Sequence, residues 1–331
     1  MKDLLKATQP RLLALRALKL GDLLVAVPAL KGLRRGFPDH RIVLAAPGWL
    51  APIVKLIDAV DELLPTSGLD DRLPSAPGII DTAVNLHGKG AESQSVLEAL
   101  APRLMISHWS PARPEGPVWV DGMHERRRWT RLVMAFGATA APNDVTINVP
   151  SVVPIERGAA VVHVGAHYGS RHWPAERFAY VARILSDTGL TVLITGGVAD
   201  VVRARRVADL AGLAPESVLA GRADLAEFAS VIAHAAVLVS VDTGAAHLAS
   251  AYGVRSVVIF GPAPPEEWGP PPGPHIVLTD PRVRMGEAFA AEPDPALLAV
   301  SDEQVGDAAL ALLNTVKGDN RFVPIAKRGN A

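Results

Sequence analysis

Short, nearly unbroken apolar runs alternate with amphipathic stretches of helical period, and they do so in two series separated by a proline-rich break. In the first series Leu12–Leu15, Arg41–Ala45, Asp81–Leu86 and Leu104–Ser107 read as buried strands. Helical patterns lie between and after them, at Leu23–Leu30, Ala51–Ile57, up to Leu97–Leu100, and at His124–Phe136. Strands apolar on both faces belong to parallel sheets covered by helices. The period is lost over Ala140–Pro154, which carries Pro142, Asn143, Pro150 and Pro154 and reads as a linker. The second series has strands at Ala160–Val164, Leu190–Thr195, Val237–Val241 and Val257–Phe260. Phe178, Val181, Ala182 and Leu185 form one helix face, stopped at Gly189, and Asp224 with Glu227 forms a capping box ahead of another helix. Gly261–Pro274 reads as loop, and a last helix is expected over Asp302–Val316. The expectation is an α/β protein of two Rossmann-like parallel-sheet domains, 1–150 and 151–331, facing a central cleft.

Composition removes several function classes. The 331 residues carry 33 Lys and Arg against 34 Asp and Glu, a net charge of −1, without the basic excess of a dedicated nucleic-acid binder. With no cysteine there is no disulfide, thiolate-bound metal or thiol nucleophile. Apolar runs are too short or too charged for a membrane span, and Met1–Pro10 is too polar for a secretory signal. A cytoplasmic protein is expected, with peripheral contact at the inner face of the plasma membrane compatible with the basic cluster around Trp129. That cluster, Arg126, Arg127, Arg128 and Arg131, reads either as a solvated helix face or as an anion-facing one.

Ligands of open α/β sheets sit beyond the carboxyl ends of the strands. After the first strand comes Arg16-Ala-Leu-Lys-Leu-Gly-Asp22, with Asp22 where the helix begins, either as a cap or as an exposed carboxylate. A single glycine there, Gly21, is not a dinucleotide fingerprint. After Val237–Val241 comes Asp242-Thr243-Gly244-Ala-Ala-His247, a turn whose free N–H groups and helix dipole favour an anion, with His247 one turn on. After Ala160–Val164 comes a loop with Gly165, Gly169 and Arg171, suited to a diphosphate held without metal. Its histidines, His163, His167 and His172, lack interleaved carboxylates, so no metal site is expected. Thr195-Gly196-Gly197 could admit a base or ribose, or be a plain turn. His87-Gly-Lys89-Gly makes a basic loop in the first half, suited to an acceptor, as is Arg16. No D-x-D triplet, Walker loop or nucleophile elbow occurs.

Three of these stretches, LLALRALKLGDLLVAVPALKGL (Leu12–Leu33), VVHVGAHYGSRHWPAERF (Val161–Phe178) and Leu225–Gly261 with SVDTGAAHLASAYGVRSVVIFG, resemble glycosyltransferase family 9, the bacterial ADP-heptose heptosyltransferases. The resemblance implies a GT-B fold and inverting, metal-independent transfer of a heptose or related sugar from an ADP-sugar donor, with no cofactor. It implies that Asp22 is the general base, that Asp242 holds or orients the donor sugar, and that Thr243, Gly244 and His247 bind the diphosphate. Arg171 stands where relatives carry Lys. The implied partners are a nucleotide-sugar donor and a glycan, lipid-linked or small-molecule acceptor, the usual one being the lipopolysaccharide inner core. A monomer is expected, with the last helix crossing back onto the first domain. A nucleotide-sugar epimerase of the same fold and a non-catalytic nucleotide-sugar binder are the alternatives.

Overall fold

The computed structural model describes residues 9–70 and 73–314. The first half builds strands β1 (Arg11–Leu15), β2 (Arg41–Ala46), β3 (Glu62–Pro65), β4 (Thr82–Asn85) and β5 (Leu104–Ile106), with helices α1 (Leu20–Gly36), α2 (Ala51–Val54), α3 (Ala91–Glu98) and α4 (Glu125–Ala135). The second half builds β6 (Ala160–His163), β7 (Val192–Thr195), β8 (Val237–Val241), β9 (Ser256–Ile259) and β10 (His275–Leu278). Its helices are α5 (Ala175–Asp187), α6 (Val201–Ala211), α7 (Leu225–Ala233), α8 (Gly244–Tyr252), α9 (Pro265–Trp268), α10 (Pro295–Leu298) and α11 (Asp302–Asn314).

The strands form two wholly parallel five-stranded sheets, ordered β3-β2-β1-β4-β5 and β10-β9-β8-β6-β7. In each, the chain returns from an edge to the centre, so the strand-end loops part between β1 and β4 and between β6 and β8. These are the switch points at which such sheets open a crevice.

The pleat sorts the core. Leu13, Leu15, Val43 and Ala45 face Leu97 and Leu100 on one side of the first sheet. Leu12, Ala14, Ile42 and Leu44 face α1 and α4 on the other. That second layer does not stop at the domain edge. Leu23, Val27 and Leu30 of α1 belong to the same buried cluster as Ala245, Leu248 and Ala249 of α8 and Leu238 of β8. The two halves therefore share a core through α1 and α8.

Four features differ from the sequence expectation. The edge strands β3 and β10 and the helix α6 were not foreseen: both strands have four residues of intermediate burial or less, and α6 shows a largely charged outer face around Ala204, Val207, Ala208 and Ala211. Gly261–Pro274 is not all loop, because Pro265 at the first turn and Glu266 and Glu267 behind it start the one-turn helix α9. The last helix, read to Val316, is described to Asn314; residues 315–316 lie outside the described residues. Its described part does not cross to the first half. Val305, Ala309 and Leu312 are buried with Val181, Leu185 and Val239, so α11 packs on α5, β8 and β9. Among the described residues no helix is long and apolar enough to cross a membrane.

Candidate active site

The first sheet contributes the turn from β1 into α1. Lys19 is the N-cap residue of α1, and its backbone N–H donates to Asp22 Oδ2 at 3.2 Å. Asp22 thus closes the helix start and still leaves about a quarter of its side chain exposed (26 %). Beneath it lies Arg16, which is 1 % exposed. Its Nε donates to the Asp22 carbonyl at 2.9 Å and its Nη1 to the Leu86 carbonyl, tying β1 to the end of β4. Its Nη2 stands 3.5 Å from Asp22 Oδ1 and 3.9 Å from Glu125 Oε2, and its guanidinium faces the Trp129 ring at 4.7 Å. Arg16, expected on the acceptor side, is instead spent inside its own turn: a guanidinium this buried meets neighbours, not an incoming acceptor.

The other two residues of the expected acceptor side sit at the end of β4. His87 is half-buried, and burial followed by the Arg16 charge lowers its pKa, so the ring is held neutral. Lys89 is exposed, 3.4 Å from Asp121 Oδ1 and 5.4 Å from the centre of the Trp119 ring.

The second sheet contributes the turn from β8 into α8. Asp242 is buried, and burial raises its pKa to about 6, opposed by Arg171 and reinforced by the negative charge of Asp22. Arg171 Nε lies 3.5 Å from Asp242 Oδ2, and His247 Nε2 lies 3.8 Å from Asp242 Oδ1. Burial, then Arg126, His124 and Arg171, lower the His247 pKa to about 3, so its ring is neutral at physiological pH. Thr243 is the N-cap of α8, but its hydroxyl pairs with Ser240 Oγ at 3.0 Å and does not cap the helix. The start of α8 is therefore left to its backbone N–H groups at Gly244, where a helix dipole favours an anion.

Thr195, Gly196 and Gly197 divide. The Thr195 side chain is buried and pairs with His163 Nδ1 at 3.0 Å, so it is turned from the cleft. Gly196 and Gly165 pack against Asp200, where a Cβ would stand 2.7 Å and 2.6 Å from its side chain. The Gly197 N–H is exposed but donates to Asp200 Oδ2 at 2.8 Å. Of the loop histidines, His172 Nε2 is 3.0 Å from the Ala166 carbonyl and His167 lies edge-on to Tyr168, each with its own partner.

The two turns meet. A Cβ on Gly21 would stand 3.0 Å from His247 Cδ2, and one on Gly244 would stand 2.8 Å from Leu20 Cδ2. Two glycines thus let the starts of α1 and α8 close on each other, bringing Asp22 into electrostatic reach of Asp242. Lys19 reaches across to the Tyr168 ring, with Nζ 4.7 Å from its centre. Behind this junction His124 Nε2 and Arg126 Nη1 lie 3.0 Å and 2.6 Å from the Gly269 carbonyl, which ends α9.

Residues 134–279 match the model of glycosyltransferase family 9 (heptosyltransferase). A lipopolysaccharide heptosyltransferase 1 from Salmonella typhimurium is 24 % identical over 286 residues, 77 % of this chain and 89 % of that protein. A lipopolysaccharide heptosyltransferase 1 from Pseudomonas aeruginosa is 38 % identical over 102 residues, where the match spans 30 % of this chain and 28 % of that protein. The solved Escherichia coli ADP-heptose lipopolysaccharide heptosyltransferase II superposes with a TM-score of 0.73 at 20 % identity, over 93 % of this chain and all of that one (100 %). The chain is a glycosyltransferase similar to family 9 over residues 134–279. Its fold is GT-B.

Parts of this glycosyltransferase's junction escaped the sequence. Glu125 binds Arg128 Nε at 2.6 Å and Trp129 Nε1 at 2.9 Å while facing Arg16. The basic cluster around Trp129 is neither a solvated face nor an anion-facing one as a whole. Arg126 and Arg128 are buried, and they donate to backbone carbonyls, Arg126 to Gly269 and Arg128 to Val120. The one signal available was their unusual density next to a tryptophan.

Proposed function

We propose that this glycosyltransferase moves a heptose from ADP-heptose to an acceptor hydroxyl, in one displacement with inversion and without a metal ion. The observation that carries the reading is the meeting of two carboxylate turns: Asp22 at the start of α1, partly exposed, and Asp242 beside Arg171 at the start of α8. The acceptor oxygen attacks the anomeric carbon and its proton passes to the Asp22 carboxylate. The bond from the anomeric carbon to the diphosphate oxygen breaks, and its electron pair leaves with ADP. That departing charge is met by Arg171, by the N–H groups at Thr243 and Gly244, and by neutral His247 as a donor. Asp242, drawn towards Arg171, orients the donor hydroxyls. Arg171 supplies a fixed fork of donors for a diphosphate, which lets the site dispense with a cation.

The test is ADP release from ADP-heptose in the presence of acceptor, run beside calorimetric titration with ADP. Asp22→Asn should reduce transfer by roughly 10²–10⁴-fold while ADP still binds, and near-normal turnover in that variant overturns the base assignment. Arg171→Ala should weaken ADP binding about tenfold or more, by loss of a charge-assisted pair. Selective binding of UDP or GDP over ADP would replace the donor while leaving the site.

A further inference from the structure

A cavity of about 880 Å³ opens at the carboxyl ends of β1, β2 and β3. Lys19, whose backbone N–H binds the Asp22 carboxylate, forms one wall. Pro47 and Trp49 form the second, and Thr66, Ser67 and Pro74 the third. The chemistry of this lining is distinctive. Among the described residues that line it, Lys19 is the one cation and there is no arginine and no carboxylate. Trp49 is 54 % exposed, and none of the ring–ring or cation–ring contacts among the described residues involves it.

A tryptophan this exposed costs free energy unless something flat and apolar covers it. The loop holding it is stiff: Pro47 precedes it, and a Cβ on Gly48 would stand 3.4 Å from the Pro65 ring, so the β2 and β3 ends are packed together. Stiff walls with few, fixed polar groups make a preformed pocket. An acceptor carrying several phosphates or carboxylates would need clustered Arg or Lys to offset its desolvation. Here Lys19 is shared with the Tyr168 ring and stands next to Asp22, so the pocket mouth is close to neutral.

We propose that this pocket is the acceptor subsite and that it takes a neutral or singly charged pyranose, its C–H face stacked on Trp49 and one hydroxyl presented to Asp22. Trp49 is then the specificity-determining residue for the acceptor. This rests on the glycosyl-transfer reading, because the stacked hydroxyl matters only if Asp22 accepts its proton.

The experiment is saturation-transfer NMR on the full chain with ADP present, using methyl α-mannopyranoside, methyl α-glucopyranoside and a multiply phosphorylated glucosamine disaccharide as probes. Saturation should reach the ring C–H protons of a neutral pyranoside in the wild type. It should fall about tenfold in apparent affinity in Trp49→Ala and be retained in Trp49→Phe. ADP affinity, measured by calorimetry, should be the same in all three proteins. Undiminished saturation in Trp49→Ala, silence from both neutral pyranosides, or at least tenfold tighter binding of the phosphorylated disaccharide would each overturn the proposal. Loss of ADP binding in the wild type would instead strike the donor reading, and the Trp49 dependence of pyranoside binding would still decide the pocket. Trp49 is exposed, so both variants should melt with the wild type, which a thermal scan verifies.

Discussion

The turn from β1 into α1 and the turn from β8 into α8 are built alike and charged differently. Each follows a central strand at a switch point, each offers an aspartate beside a glycine, and each glycine admits the other turn. In the first the aspartate is partly exposed and the buried residue is the cation, Arg16. In the second the aspartate itself is buried, with a pKa raised to about 6, and its cation Arg171 is the more exposed partner. A carboxylate that must take a proton from a mobile hydroxyl needs access. A carboxylate that must hold a bound sugar benefits from exclusion of water, at a cost in stability. The pair therefore assigns movement to one side of the cleft and fixed charge to the other.

The difference is broken most sharply at Asp22. Asp22→Asn keeps the size of the side chain and its acceptor for the Lys19 N–H. Transfer should fall by roughly 10²–10⁴-fold, the usual worth of a positioned base, with ADP affinity unchanged. Steady-state kinetics beside ADP calorimetry reads both numbers. Next comes Arg16. Arg16→Met leaves Asp22 and Glu125 facing each other without their buried cation, and should cost about 3–5 kcal/mol in urea unfolding. A loss below about 1 kcal/mol would mean that the Leu86 and Asp22 carbonyls do not depend on it. The glycine contacts come third. Gly21→Ala sets a methyl 3.0 Å from His247 Cδ2, so the α1–α8 junction must widen by a few tenths of an ångström. Weaker ADP binding together with a lower turnover is expected. Unchanged values for both would show the junction to be looser than its geometry.

Much of this was legible in the sequence because it is local. The central strands β1, β6 and β8 carry buried apolar residues on both faces, and the capping box of α7 is spelled out by Asp224 and Glu227, which exchange bonds of 2.8 and 2.9 Å. Asp242, Thr243, Gly244 and His247 lie within six consecutive residues, so their spacing alone brought them together. The edge strands β3 and β10 carried too little apolar pattern to stand out from loop. What stayed hidden is assembled from distant chain. Glu125 meets Arg16 only because α4 packs on α1, and Arg126 reaches Gly269 only because α9 exists, which the Pro- and Gly-rich run around it disguised. Thr195 differs for another reason: it ends β7 as the pattern implies, but His163 on the neighbouring strand claims its hydroxyl.

The smallest expected effect sharpens the charge assignment best. Asp242 binds its proton more tightly in the folded chain than in the unfolded one, because burial raises its pKa to about 6 from the ordinary 3.8. Above that value the native state carries a buried carboxylate that the unfolded state solvates freely, so this group lowers stability as pH rises from about 4 to about 6, and the loss then stays constant at higher pH. Asp242→Asn removes the charge and keeps the shape. It should raise Tm by about 2–4 °C at pH 8, the shift expected for about 1 kcal/mol in a chain somewhat smaller than this one. At pH 4, where the aspartate is protonated in the folded chain and close to half protonated in the unfolded one, the gain should shrink towards zero. The same variant should bind donor sugar less well, which is the trade expected of a site that keeps a costly charge for use. A Tm gain equal at both pH values would trace the effect to packing instead of charge. A loss at pH 8 would mean that Arg171 repays the burial of Asp242 in full, and that the second turn is held together by its ion pair even before a donor arrives.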